Sequence, residues 1–310
     1  MTSPRSTAIA VGPEEDRKLV KAVERGGGVS APVSEAEALI WNSSAEQFPQ
    51  SLPPGIKWVQ LASAGVESWF DAGILAKYPL VEFTSAAGAY ACTVAEHALS
   101  LLLAGVRALP EHLETRTWRQ SHFMGQVGTL RGSTVTIVGA GGIGRALIPM
   151  LTALGAEVVA VNRSGSPVPG AVRTLPVTQL DEVWSTTDHV VVAAPATPAT
   201  RHLIGGAELR QLKPHSWVIN VARGSLIDTD ALVSAIDTGA IGGAGLDVTD
   251  PEPLPDGHRL WDLTNAIVTP HDSNPPHLRE DAYAEHVAAN VARFVAGEEL
   301  VARVDPLRGY

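Results

Sequence analysis

Residues Thr134–Gly144, TVTIVGAGGIG, decide how this 310-residue chain is read. Val135 to Val138 are β-branched and present apolar groups on both faces, as a strand buried in a parallel sheet requires. The run then breaks into Gly139, Gly141 and Gly144 at GxGxxG spacing, and Ala146 to Leu154 resumes at helical period. In such a strand–turn–helix unit the first glycine permits the tight turn. The second lets the backbone approach a pyrophosphate, and the third lets helix and strand pack closely. The free N–H groups at the helix start, at its positive dipole end, hold the phosphates. A second strand, Glu157 to Val161, follows the helix, so the stretch predicts dinucleotide binding.

Working outward, the length predicts two domains, and 45% apolar residues with 29 glycines fit a soluble α/β protein. A formal charge of −10 argues against a nucleic-acid footprint or a basic membrane surface. Cys92 is the single cysteine, which excludes a disulfide framework and a cysteine-rich metal site. The opening MTSPRSTAIAVGP lacks the apolar core of a signal peptide, and no apolar run is long enough to span a membrane. A cytoplasmic location is expected.

Thr7 to Val11, Glu37 to Trp41 and Lys57 to Leu61 read as strands, with a helix from Glu14 to Arg25. Strands alternating with helices imply a parallel sheet, here a small domain of its own. The turn Ser63-Ala64-Gly65-Val66 follows a strand, where open α/β sheets hold their ligands. Tyr90 to Leu109 is a long apolar, buried helix, and its His97 reads as a core or interface histidine rather than a catalytic one. Pro110 to Leu130 is a polar connection, and Pro149 predicts a kink in the helix after the glycine turn. Further strands are expected at His189–Ala193, Trp217–Val221, Gly243–Val248 and Ala266–Thr269. Helical stretches are expected at Asp181–Trp184, Ala207–Leu212 and Thr229–Asp237. A last helix covers His277–Ala296, and the tail Leu300–Val304 adds a strand to the first domain.

Three residues sit just after successive strands: Arg223, Glu252 in DVTDPEPLP, and His271 after AIVTP. Strand ends of a parallel sheet point toward the ligand crevice, so the three can converge. They suit reversible reduction of a carbonyl beside a carboxylate. A histidine gives and takes a proton near neutral pH, and a neighbouring carboxylate stabilises imidazolium. An arginine fork binds the substrate carboxylate and polarises the carbonyl. No metal is needed.

The stretches LASAGVESW, TVAEHALSLLLA, TVTIVGAGGIGRAL, INVARGSLIDTDAL, GAGLDVTDPEPLP and TPH, in that order, resemble the D-isomer-specific 2-hydroxyacid dehydrogenase family over nearly the whole chain. The resemblance implies Arg223 as the substrate-binding and polarising arginine, Glu252 as partner of the histidine, and His271 as acid/base. It implies that the backbone at Ala64 and Gly65 binds the substrate carboxylate. Gly139, Gly141, Gly142, Ile143, Gly144, Pro195 and Ala222 would contact the cofactor, Pro195 at the adenine, and Asp247 would hold the nicotinamide carboxamide. It also splits the fold into two doubly wound parallel-sheet domains. A Rossmann dinucleotide-binding domain, 99–276, is inserted into a smaller flavodoxin-like substrate domain, 1–98 with 277–310, and a homodimer is expected. After the histidine many relatives carry small residues, whereas this chain has Asp272-Ser273-Asn274-Pro275-Pro276, which bears on substrate identity. Small 2-ketoacids of the glyoxylate and hydroxypyruvate type are the expected substrates.

The second strand ends in Asn162-Arg163-Ser164, where an NAD-selective site has Asp or Glu about 20 residues beyond the glycine turn. With neutral Asn162 there, Arg163 and Ser164 can hold a 2′-phosphate, so NADP(H) is expected over NAD(H). Two alternatives stay open at this point. One is a nucleotide-sensing, corepressor-like binding module. The other is an NAD-dependent dehydrogenase of another small acid such as phosphite; formate fits poorly, since glutamine is expected at the Glu252 position.

Overall fold

The computed structural model describes residues 7–306, so residues 1–6, where the N-terminal reading began, lie outside it. The chain forms two compact units, one made of the residues up to Tyr90 and from Pro275, the other of Ala91–Asn274. Among the described residues no helix is long and apolar enough to cross a membrane.

The smaller unit is built on five strands: β1 (Ala8–Gly12), β2 (Val29–Ser30), β3 (Ala38–Trp41), β4 (Trp58–Leu61) and β5 (Glu82–Thr84). They pair parallel in the order β2-β1-β3-β4-β5. Every residue of β3 and β4 is buried, which is why these short runs are apolar on both faces except at Gln60. Helix α1 (Arg17–Arg25) starts where Asp16 accepts from the amides of Lys18 and Leu19, and it buries Leu19, Ala22 and Val23. The last helix, Pro276–Ala296, packs on α1 so closely that a Cβ at Gly26 would lie 2.6 Å from the Val291 side chain. The tail does not form the expected strand: it makes one antiparallel bridge, Thr84 to Arg303. Buried Asn290 holds it there, donating to Gln60 Oε1 at 2.8 Å and accepting from the Val301 amide at 2.8 Å.

The larger unit carries β6 (Thr134–Val138), β7 (Glu157–Asn162), β8 (Arg173–Pro176), β9 (His189–Val192), β10 (Trp217–Asn220), β11 (Gly243–Leu246) and β12 (Ala266–Val268). All pair parallel in the order β12-β11-β10-β9-β6-β7-β8. This is the doubly wound order, with strands running outward both ways from β6. The two units are therefore both α/β with parallel sheets.

The division falls at Tyr90/Ala91, earlier than the expected 98/99, because the apolar helix Ala91–Val106 belongs whole to the larger unit. A Cβ on its Gly105 would lie 2.2 Å from the Trp217 indole of β10, and Gly245 of β11 would meet Leu101 at 2.9 Å. The second junction falls at Asn274/Pro275, two residues before the expected one. The connection Pro110 to Leu130 contains two short helices, Leu109–Glu114 and Gln120–Phe123. The helix Gly142–Ala153 runs on through Pro149 as a single element.

Candidate active site

The glycine turn joins β6 to the helix Gly142–Ala153. Gly139 has φ +94°, and a Cβ there would sit 2.4 Å from the Ala194 amide nitrogen, so no side chain fits. Around Gly141, by contrast, nothing lies within 4 Å, while a Cβ on Gly144 would approach Ile137 at 3.1 Å. The helix that follows has no side-chain cap. Its first-turn N–H groups at Gly142, Ile143 and Gly144 are thus left for an anion. A bare, open backbone cradle of this kind fits the pyrophosphate of a dinucleotide.

At the end of β7, Asn162 turns back on its own loop. Its amide donates to Ser166 O at 2.7 Å, and its Oδ1 accepts from the amides of Ser164 and Gly165 at 3.1 and 2.7 Å. Arg163 and Ser164 are exposed on that loop. Pro195, exposed beyond β9, accepts from the Thr200 hydroxyl at 2.8 Å through its carbonyl.

Strands β10, β11 and β12 are neighbours, so the loops after them lie side by side. Buried Asn220 fixes the first loop, donating to Arg223 O at 2.9 Å and accepting from the Ala222 amide at 3.0 Å. Arg223 Nη1 donates to Ala222 O at 2.6 Å. The backbone of Thr249, in the second loop, passes so close that a Cβ on Gly224 would stand 2.0 Å from its carbonyl. The third loop brings His271 Nδ1 to 2.6 Å from Glu252 Oε1, with both side chains about half exposed. A histidine held through Nδ1 by a carboxylate presents Nε2 as the working nitrogen.

His271 has φ +53°, a conformation that must be held from outside. Its amide donates to Asp247 O at 2.9 Å, and buried Asp247 supplies most of the remaining ties. Asp247 Oδ1 accepts from Thr269 Oγ1 at 2.7 Å and from the Asp272 amide at 3.0 Å, and Oδ2 from the Ser273 amide at 3.3 Å. His97 Nε2 lies 2.9 Å from Thr269 Oγ1 and 3.4 Å from Asp247 Oδ1. Since the Thr269 hydroxyl donates to Asp247, it accepts from His97, which must carry its proton on Nε2. His97 thus stands behind His271, a position that its sequence context, an apolar helix, did not suggest. His97, Asp247 and Asp272 also gather within 4.8 Å, but His97 Nε2 and both Asp247 carboxylate oxygens already serve this knot. The Asp272–Pro276 segment is anchored further by Thr93 Oγ1 donating to Asn274 Oδ1 at 3.2 Å.

Ala64 and Gly65 lie in the smaller unit, in the exposed turn after β4. A crevice of about 1030 Å³ in the larger unit lies at the opposite, amino ends of β9 and β10, lined by His189 and Trp217, away from these loops.

The family model described as "D-isomer specific 2-hydroxyacid dehydrogenase, NAD binding domain" matches residues 98–273. The chain belongs to the D-isomer specific 2-hydroxyacid dehydrogenase family. It is therefore an NAD(P)-using oxidoreductase. It is 38% identical over 296 residues to an uncharacterized protein in the proB 3′ region of Corynebacterium melassecola, covering 93% of this chain and 95% of that one. It is 34% identical over 298 residues to the D-3-phosphoglycerate dehydrogenase of Mycobacterium tuberculosis; 94% of this chain is covered but only 55% of that protein, so the dehydrogenase here spans about half its length. Among solved structures, an NADPH-dependent glyoxylate/hydroxypyruvate reductase from Sinorhizobium meliloti, in complex with NADP and sulfate, superposes with TM-score 0.76 at 26% identity, covering 98% of this chain and all of that one.

Proposed function

We propose that this dehydrogenase reduces a small 2-oxo acid, of the glyoxylate and hydroxypyruvate type, to the D-2-hydroxyacid with NADPH. The observation that carries the reading is the 2.6 Å bond from His271 Nδ1 to Glu252 on adjacent strand-end loops, which leaves Nε2 for the substrate. The backbone at Ala64 and Gly65 binds the substrate carboxylate. Arg223 pairs with that carboxylate and polarises the carbonyl oxygen as charge develops. His271 Nε2 gives its proton to the same oxygen, and Glu252 offsets the imidazolium charge and holds the ring. The dihydronicotinamide, when bound, supplies the hydride to C2.

For the cofactor, the amides from Gly139 to Gly144 hold the pyrophosphate, and Pro195 and Ala222 line the adenine and nicotinamide sides. Asp247 faces two tasks, the carboxamide assigned by resemblance and the ties to His271 described above. Asn162 shapes the loop and adds no negative charge, which leaves Arg163 and Ser164 to take a 2′-phosphate. The NADP-bound relative supports this choice. A homodimer is part of the proposal, supported by Leu113, Trp118 and Met124, large apolar side chains that are 73%, 90% and 76% exposed on the connection between helices.

The test is a panel of 2-oxo acids with both cofactors, beside Arg223→Lys. NADPH should exceed NADH in kcat/KM, and the variant should lose on the order of 10² in rate as the fork geometry goes. Near-normal turnover by the variant removes Arg223 from the mechanism, and equal use of NADH removes the cofactor preference. Light scattering reads the dimer directly.

A further inference from the structure

In the smaller unit the order β2-β1-β3-β4-β5 reverses direction between β1 and β3. Open parallel sheets take ligands at the carboxyl ends of the strands beside such a reversal. There the structure has a crevice of about 440 Å³, lined by Asp16 after β1, Asn42 and Ser43 after β3, Ser63 after β4, and Arg279 and Tyr283 of the last helix.

The charges around it are unequally matched. Asp16 Oδ1 accepts from the amides of Lys18 and Leu19 at 2.7 and 3.1 Å as the cap of α1. Glu280 and Asp281 both pair with Lys18 Nζ, at 2.9 and 3.0 Å. Arg279 has no carboxylate partner among the described residues; its charge acts on the Tyr90 hydroxyl. Burial pushes Tyr90 up to about 12, so it stays protonated and offers Arg279 no charge. One turn further along the helix, Tyr283 is 4% exposed, and its hydroxyl is buried with no hydrogen-bond partner. Burial holds Tyr283 well above its ordinary value, so its hydroxyl remains a donor. The orphaned buried donor of Tyr283 calls for an acceptor that the protein does not provide, and the exposed guanidinium of Arg279, on the same helix face, adds positive charge beside it.

We infer that this crevice takes the far end of the substrate and that this end is a second carboxylate, held by Arg279 and Tyr283. The inference rests on the 2-oxo acid reading above and moves its substrate from the glyoxylate and hydroxypyruvate type to 2-oxo dicarboxylates. Ser63 borders both the crevice and the Ala64–Gly65 turn assigned to the first carboxylate, so one short molecule can reach from turn to helix.

Calorimetry on the full chain with 2-oxoglutarate and with 2-oxopentanoate, its equivalent with a neutral end, tests this without turnover. The dicarboxylate should bind at least tenfold tighter, the scale of one charge-assisted bond. Arg279→Gln should erase most of that ratio and Arg279→Lys should keep part of it, each checked for folding by circular dichroism. Tyr283→Phe should lower the ratio a few-fold without destabilising the chain, since it deletes an unsatisfied group. Equal binding of the two acids, or a ratio that survives Arg279→Gln, overturns the inference. Turnover is read separately. A preferred but unreduced dicarboxylate would sink the reductase reading and leave the crevice standing, whereas reduction of 2-oxo acids without preference does the reverse.

Discussion

The loops at the carboxyl ends of the two sheets handle their polar groups in opposite ways. In the larger unit Asn220, Asp247, Thr269 and His97 are tied into a network that fixes Arg223 and His271 before any ligand arrives. In the smaller unit, among the described residues, Arg279 has no carboxylate partner and the Tyr283 hydroxyl no hydrogen-bond partner. Proton transfer needs groups held within tenths of an ångström, so its supports must be satisfied in the free protein. Selection among substrates works through what is left unpaired when the wrong molecule binds. The fixed loops and the unsatisfied crevice are the two expected halves of a specific enzyme.

Removing the working nitrogen breaks the first half outright. His271→Ala should lower kcat/KM for the best 2-oxo acid by on the order of 10² to 10⁴, the usual contribution of a positioned acid. NADPH binding, followed by fluorescence, should persist. A variant that keeps its activity would show that the fixed loop serves only structure. Arg163→Ala is a smaller step. Losing one charge-assisted bond of roughly 1.5–3 kcal/mol should raise KM for NADPH some tens of times and leave NADH nearly unchanged. If both cofactors weaken alike, Arg163 has no part in choosing between them.

Thr269→Val is gentler still, because it keeps the shape and deletes the hydroxyl between His97 and Asp247. Roughly a tenfold loss in kcat is expected, together with faster amide exchange at His271. Exchange unchanged alongside a loss of rate would mean that Thr269 acts on the substrate directly and not through the loop.

Much of the larger unit can be read in the sequence because its demands are local. Gly139 must turn with positive φ within three residues of a buried strand, and the motif announces it. Arg223, Glu252 and His271 follow consecutive strands that prove to be neighbours. The supports were illegible for the opposite reason: His97 matters through Thr269, 172 residues away, and no local pattern marks that pairing. Asn220 left a faint signal, a lone amide closing the apolar run WVIN. Strand β8 ends in a proline at the sheet edge and β2 has two residues, too little for any period to register. Tyr283 and Arg279 sit on a helix whose exposed and buried faces both look ordinary until the crevice is seen.

A last comparison sets the buried His189 of the larger unit against the half-buried His286 of the smaller one. His189 of β9 accepts from the Trp217 amide at 3.2 Å through Nδ1, so it is neutral, and burial lowers it to about 4. His286 of the last helix lies with Nε2 3.0 Å from Ser85 O, a bond in which it must donate. Burial lowers His286 too, but that bond pulls the other way. Protonation therefore breaks the bond of His189 and keeps that of His286. For His189 the folded value lies below the unfolded one of about 6.5, so the unfolded chain binds more protons between these limits. Its contribution is complete above pH 6.5 and is lost as pH falls toward 4, by about 3 kcal/mol in all. Urea unfolding at pH 7.5 and pH 5 should show the loss, and His189→Leu should narrow the difference between the two pH values. Amide exchange at Trp217 should accelerate on acidification before exchange in β4 of the smaller unit does. If β4 opens first, burial of His189 is not what limits acid stability.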